Sequence, residues 1–374
     1  MKILIVIGGY FPGKKYGGPP VSVNNFCSLM DKYECYVVTR NRDAGEKEEY
    51  SLPVGEWVDR NNCKVMYLKD TEFNSETFEN VITCINPDVI YLQGLFQRCV
   101  MPCLRLAKKH NKRVILAPRG ELCKGAFRKK YKKVPYIIYL RVMGLLKKVR
   151  FQSTSDEETL MIMKMLGAHK DDVYNLTNIP SIPPKNYSVP SKIKGQLKIV
   201  FVSRIVWKKN LLAALNYLKD VDGWVEFNIY GSLEDELYWE KCKKAIAALP
   251  ENITVNYNGS VSHDEIFEAF SNSHIFLFPT FSENYGHVIA EALTMGKPVI
   301  VSDQTPWRDL EANECGFDLS LDDEQSFIKA IQKYVDMDDM EYKQQSENAL
   351  KYVNMKQNIE EIKKAYEEAF DDVL

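Results

Sequence analysis

The chain lacks the features that would assign it quickly to several large classes. None of its nine cysteines forms a pair-of-pairs spacing, and Cys99 and Cys103 are the closest two. That pattern argues against a zinc ribbon, and the odd count argues against a secreted disulfide framework, so a reducing cytosol is expected. No apolar run approaches the roughly 20 residues needed to span a bilayer. Met1 opens directly on the strand-like run KILIVIGG without a charged leader and cleavage site, so no signal peptide is expected. A net charge of −2 over 374 residues removes any global attraction to nucleic acid or membrane and leaves only local ones. The dinucleotide fingerprint G-x-G-x-x-G is also missing. Gly8, Gly9, Gly13, Gly17 and Gly18 follow the first strand in the wrong spacing, and the second strand, Tyr36 to Thr39, ends on Arg40 rather than on a ribose-binding acid. A nicotinamide-dependent oxidoreductase is therefore disfavoured.

What is present is an ordinary globular composition, 45% hydrophobic and 27% charged, at a length that suggests two or three domains. Lys2 to Ile7 reads as a buried strand. The loop Gly8 to Pro20 and a helix, Val21 to Met30, come next. Strands at Val65 to Leu68, Val89 to Leu92 and Arg113 to Ala117 alternate with helices at Glu76 to Ile85 and Cys99 to His110. Such alternation predicts a parallel sheet covered on both faces. Phe151 to Gly167 reads as a strand running into a helix, with Ser155 and Glu158 as a capping box. Residues 181–196, rich in Pro, Ser and Lys, form the best linker, after which the pattern restarts at Leu197 to Val202. Helices are expected at Leu211 to Leu218, His263 to Phe270, Gln325 to Asp336, Met340 to Lys351 and Gln357 to Phe370.

One stretch concentrates the chemistry: Phe276 to Asp303, FLFPTFSENYGHVIAEALTMGKPVIVSD. It reads as strand, loop, helix, strand, and ligands of such units sit at the C-terminal ends of the strands. Gly286 permits close backbone approach, and the following helix N-terminus offers free N–H groups and a positive dipole end. Glu283 precedes that helix and Glu291 lies in its second turn, leaning back towards the N-terminus. The two acids would be poor phosphate ligands but good acceptors for sugar hydroxyls, or charge stabilisers beside a phosphate leaving group. The plainer reading is an amphipathic helix with an exposed carboxylate and a dipole-favoured acid.

Glu283, seven residues and then Glu291, inside ENYGHVIAEALTMGKPVI, resembles the donor-site signature of retaining family 4 glycosyltransferases of the GT-B fold. The following SDQTPWRDL resembles the subgroup that builds capsule, exopolysaccharide and lipopolysaccharide chains. The resemblance implies an α/β architecture of two Rossmann-like doubly wound parallel-sheet domains facing a cleft. An acceptor-binding domain would span 1–180, with 357–374 packing back on it, and a nucleotide-sugar domain would span 197–356. It further implies that Arg204 and Lys209, in SRIVWKKN, stabilise the diphosphate; relatives carry Gly where this chain has Asn210. Glu291 would hold the ribose. Glu283 and the N–H groups of Asn284, Tyr285, Gly286 and His287 would hold the donor sugar, with Val288 beside them and Val261 touching the base. His287 is equally readable as a structural residue at the helix start. Gly17 and Gly18 match the loop that approaches the donor; otherwise that loop is a flexible surface turn. No cofactor or metal is implied. Asp220 and Asp222 form a D-x-D, but Gly223 and a strand follow at once, so a turn is expected.

Three features stay open. In PRGEL, Pro118 to Leu122, Arg119 stands where many relatives have His, and Gln93 likewise replaces a common His. Arg119 stays protonated, so it either acts electrostatically on a phosphate or an acceptor acid, or makes a structural salt bridge. Lys124 to Arg150 holds ten basic residues and no acid (Lys124, Arg128, Lys129, Lys130, Lys132, Lys133, Arg141, Lys147, Lys148, Arg150), interleaved with VPYIIYL and VMGLL. It is either a patch for peripheral contact with an anionic membrane or a solvated helix face. The function expected is hexosyl transfer from a nucleotide-diphosphate sugar, UDP- before GDP-, to a glycan or lipid-linked acceptor, in the cytoplasm or at the inner membrane face. The alternatives are a nucleotide-sugar epimerase of the same architecture and an inactive sugar-binding relative.

Overall fold

The computed structural model describes residues 1–16, 18–60, 62–123, 130–181, 183 and 189–374. Gly17, Lys124, Arg128 and Lys129 of the sequence reading lie outside them. The chain divides into two compact units, Met1–Ile179 with Ile359–Leu374, and Pro180–Asn358.

In the first unit the elements run Lys2–Val6 (β1), Gly18–Leu29 (α1), Glu34–Arg40 (β2), Trp57–Arg60 (β3), Cys63–Leu68 (β4), Ser75–Ile85 (α2), Val89–Gln93 (β5), Val100–Lys109 (α3), Arg113–Ala117 (β6), Lys130–Val142 (α4), Val149–Ser153 (β7), Asp156–Leu166 (α5) and Val173–Asn175 (β8). The sheet order is β3-β4-β2-β1-β5-β6-β7-β8. Among the described strands of this sheet only the edge pair β3–β4 is antiparallel. Runs such as Ile3 to Val6 are buried on both faces, as a parallel sheet sandwiched between helices requires. The final helix, Ile359–Asp372, supplies Ile362, Tyr366, Ala369 and Phe370 to the core that also contains Ile3, Ile5 and Phe26. Phe370 packs on Phe26 and Tyr91 with ring centroids 5.0 and 5.2 Å apart.

Two local expectations are corrected here. α1 starts at Gly18, three residues earlier than Val21, and takes Pro19 and Pro20 into its first turn. Proline is tolerated there because the first-turn N–H groups have no partner within the helix. The capping box at α5 is only half made. Ser155 accepts from the Glu158 N–H, but the fully buried Glu158 carboxylate turns away to accept from the Gly120 N–H (2.5 Å) and from the N–H and hydroxyl of Thr154 (2.9 and 2.8 Å). Three donors, the buried Gly120 N–H among them, outweigh a single cap, because leaving them unpaired would cost more.

The second unit runs Gln196–Val202 (β9), Leu211–Tyr217 (α6), Trp224–Tyr230 (β10), Glu236–Ala247 (α7), Ile253–Tyr257 (β11), His263–Ser271 (α8), Ile275–Phe278 (β12), His287–Thr294 (α9), Val299–Ser302 (β13), Gly316–Leu319 (β14), Glu324–Asp336 (α10) and Asp339–Lys356 (α11). Its six parallel strands are ordered β11-β10-β9-β12-β13-β14. The chain winds outward from β9 in one direction and then from β12 in the other, which is the doubly wound arrangement, and the winding reverses between β9 and β12. Asp220 ends a 3-10 turn and Gly223 has φ +90, so the D-x-D segment is a turn. Among the described residues, no group of three His, Cys, Asp or Glu side chains is placed to hold a metal ion.

Candidate functional site

The loops that leave β9 and β12 emerge side by side at that reversal. After β9, Ser203 to Asn210 includes a one-turn 3-10 helix, Trp207–Lys209, that ends on Asn210 at φ 58 and ψ 38. This is the left-handed region, which asparagine tolerates better than most residues. Asn210 can therefore hold a conformation that glycine would otherwise supply. After β12, the 279–286 loop is tied to the first loop by two bonds to one carbonyl. The Phe281 N–H and the Thr280 hydroxyl both donate to the Lys208 oxygen, at 3.0 and 3.2 Å.

The result joins two residues 74 apart in sequence: the Lys209 ammonium donates to the Glu283 carboxylate in an ion pair that is largely buried. Lys209 also lies 5.3 Å from the Phe278 ring centroid. The Glu283 N–H is fixed on the Gln304 carbonyl at 3.1 Å, so the loop backbone does not depend on the side chain. Arg204, more exposed, pairs with Glu234 at 3.1 Å. Each expected diphosphate cation thus rests on a carboxylate.

Gly286 has φ +75 and caps α9. A Cβ there would meet Ile289 Cδ1 at 2.9 Å, so both backbone conformation and space favour glycine. Tyr285 is held by its carbonyl, which accepts from Trp307 Nε1 at 2.7 Å, and by its hydroxyl, which accepts from Gln357. Burial pushes its phenol well up, and the nearby Glu291 charge adds to that. His287 sits at the first position of α9 with its ring edge-on to Tyr285, centroids 4.7 Å apart. Asn284 is exposed and Val288 half-buried. Glu291 differs from the exposed carboxylate of the plainer reading: it is 3% exposed and accepts from the Ser181 hydroxyl at 3.0 Å. Val261 lies in the loop between β11, the edge strand of the sheet, and α8.

Gly18 and Arg119 belong to the first unit. Gly18 is the first residue of α1. Arg119 follows β6 in the left-handed region, φ 56, an unusual conformation for a long side chain. The rest of its motif explains how it is kept there. Gly120 is bound by Glu158, and the Glu121 carboxylate, its pKa raised by burial, accepts from the N–H groups of Leu95 and Phe96 at 2.6 and 3.0 Å. The guanidinium donates to Gln93 Oε1 (2.7 Å), Asn178 Oδ1 (2.8 Å) and the Tyr91 hydroxyl (3.0 Å). All three acceptors are neutral, so these contacts are hydrogen bonds and not the salt bridge of the structural reading.

Sequence reasoning missed Glu234, Ser181 and the pair Trp207–Phe281, whose rings stack with centroids 4.5 Å and planes 19° apart. The one available signal was a large indole set in the basic turn WKKN.

Residues 185–352, somewhat under half of the chain, match the family described as glycosyl transferases group 1. No curated protein matches the chain. Among solved structures, a HepE of Anabaena in complex with UDP and glucose aligns with a TM-score of 0.71 at 14% identity, covering 100% of both chains. The sucrose-phosphate synthase of Thermosynechococcus elongatus aligns at 0.69 and 12% identity over 100% of this chain and 98% of that one. WaaG, a glycosyltransferase involved in lipopolysaccharide biosynthesis, aligns at 0.65 and 13% over 99% of each. The two parallel-sheet α/β units have the GT-B fold. Family match and fold together support a glycosyltransferase.

Proposed function

We propose that this enzyme is a retaining, metal-independent transferase. It moves a hexosyl group from a nucleotide-diphosphate sugar, UDP- in preference to GDP-, to a glycan or lipid-linked saccharide in bacterial surface polysaccharide synthesis. The observation that carries the reading is the convergence of Lys209, Arg204, Glu283 and the Gly286 helix start on the two loops where the winding of the second sheet reverses. An arriving diphosphate takes over the cations, and the released Glu283 turns to a sugar hydroxyl. In the transfer step the bond from the anomeric carbon to the β-phosphate oxygen breaks with its electron pair going to that oxygen. The acceptor hydroxyl oxygen bonds to the anomeric carbon from the same face, and its proton passes to the departing phosphate oxygen. Lys209 and Arg204 stabilise the charge that develops there. The UDP and UDP-glucose complexes of HepE favour the uridine donor.

The test is thermal stabilisation of the full chain by UDP, GDP, CMP, ADP and NAD, each with and without EDTA. A shift with UDP that survives EDTA and is lost in Arg204→Ala is expected. A shift with NAD alone, or with no nucleotide, removes the donor reading.

The acceptor would be met at the inner face of the membrane, in the cytoplasm. α4 supports that placement. Tyr131, Val134, Ile138, Val142 and Met143 form an exposed apolar stripe, with Lys132, Arg141, Lys147 and Lys148 beside it. No helix among the described residues is long and apolar enough to cross a membrane. An apolar stripe with a basic rim suits a helix lying on an anionic bilayer. Co-sedimentation with anionic but not neutral vesicles, weakened by Ile138→Glu, is the expected result; equal binding to both, or to neither, counts against it.

A further inference from the structure

We propose that the indole of Trp207, backed by Phe281, is a stacking platform for the apolar C–H face of a pyranose ring. Trp207 is 56% exposed although one face of its ring is covered by Phe281. The exposure therefore comes from the opposite face and the ring edges. Nothing in the turn forces an indole outward, since its neighbours are Val206 and two lysines. The pair is stiff. Phe281 is pinned by its N–H to the Lys208 carbonyl at 3.0 Å, and the buried Thr280 bonds the same oxygen at 3.2 Å. A rigid aromatic surface loses little conformational freedom when a ligand covers it.

The surroundings select the ligand. Lys209 and Glu283 each lie two residues beyond one of the stacked rings, so an aromatic floor and a paired ammonium and carboxylate are built on the same two loops. A pyranose presents a matching pair of surfaces, an apolar C–H face and a rim of hydroxyls that both donate and accept. An acyl chain would have no use for the charged rim. The ring can belong to the donor or to the acceptor saccharide. The donor case rests on the function proposed above; the acceptor case does not.

The experiment compares the full-length wild type with Trp207→Ala and Trp207→Phe, all checked for an unchanged melting point. One arm measures affinity for UDP, UDP-glucose, UDP-galactose and UDP-N-acetylglucosamine. The other records saturation-transfer NMR of methyl glucoside, galactoside and N-acetylglucosaminide, with and without UDP. If the donor sugar stacks, Trp207→Ala loses about fivefold in affinity for one UDP-sugar while UDP itself is unchanged. If the acceptor stacks, the methyl glycoside signals vanish and all nucleotide affinities stay. Trp207→Phe restores most of either effect. The proposal is overturned if Trp207→Ala weakens UDP and UDP-sugars alike, which marks a loop clamp or a base-stacking residue, or if both arms match wild type. Failure of wild type to bind any nucleotide would remove the donor reading, and the methyl glycosides would still decide the platform.

Discussion

If the Lys209–Glu283 pair is a store of charge for the diphosphate, weakening it from the acid side should improve nucleotide binding while harming transfer. The perturbation is Glu283→Gln, which keeps the shape and one acceptor oxygen but removes the charge. The Glu283 backbone is anchored on Gln304 and its neighbours on Lys208, so the loop should hold. Two effects favour UDP in the variant. Lys209 no longer has to leave an anionic partner, and the carboxylate no longer repels the phosphates. At about 6 Å and an effective dielectric constant near 20, two unit charges interact by roughly 3 kcal/mol. Solvent at the loop edge reduces that by about half. The net gain is on the order of 1.5 kcal/mol, about tenfold in Kd. Titration calorimetry in EDTA should show that gain for UDP, with Lys209→Met losing about tenfold and the double variant regaining most of that loss, because the repulsion it removes does not depend on Lys209. The transfer rate with Glu283→Gln should fall, because the sugar loses its anionic acceptor. Unchanged or weaker UDP binding by a folded Glu283→Gln would refute the exchange and make the pair a structural latch.

Two further predictions concern stability and the helix start. Lys297 is fully buried, its ammonium has no hydrogen-bond partner, and burial brings its pKa from 10.5 down to about 7. Between those values the folded chain holds fewer protons than the unfolded one, so stability rises with pH from about 7 to 10.5. At roughly 1.4 kcal/mol per pKa unit the full penalty below pH 7 would be about 5 kcal/mol, of which relaxation leaves on the order of 2–3. Lys297→Met should therefore raise the melting point at pH 7 by roughly 5–10 °C and flatten that slope; an unchanged melting point at pH 7 counts against it. Gly286→Ala places a methyl against Ile289 in a left-handed backbone. It should cost about 1–2 kcal/mol and weaken nucleotide binding, and denaturant unfolding with the UDP shift would check both.

Much of the fold could be read directly because buried parallel strands announce themselves as aliphatic runs, such as Leu197 to Val202 and Ile275 to Phe278. Elements without that signal went unread. β3 is a short half-buried edge strand that gains its partner only through β4. α7 begins from Asp235, an ordinary cap in a stretch with little apolar periodicity. At the candidate site the individual residues were legible but their pairing was not. Lys209 and Glu283 were read as separate ligands because no local rule relates positions on two loops; strand order brings them together. Glu158 fitted a capping box by spacing, yet a carboxylate in a buried position goes to the donors around it, here Gly120 and Thr154. Arg119 read as a choice between charge and salt bridge, and neutral acceptors were the outcome that spacing could not suggest.

That last contrast bears on how the two units handle charge. In the second unit Arg204 and Lys209 each rest on a carboxylate, so both pairs are nearly neutral, and the anion of the proposed function would have to bind by exchange. In the first unit Arg119 is forced into a left-handed backbone, and its guanidinium is spread over an amide, another amide and a phenol. Among the described ion pairs none includes it. Three neutral bonds orient the group without cancelling its charge, whereas a carboxylate would have done both. A residue needed only to tie β5 to the 178 region could be a neutral glutamine in the same backbone conformation. Keeping an arginine there makes sense when the uncancelled charge is itself used, and the half-buried setting gives it more reach than a surface cation would have.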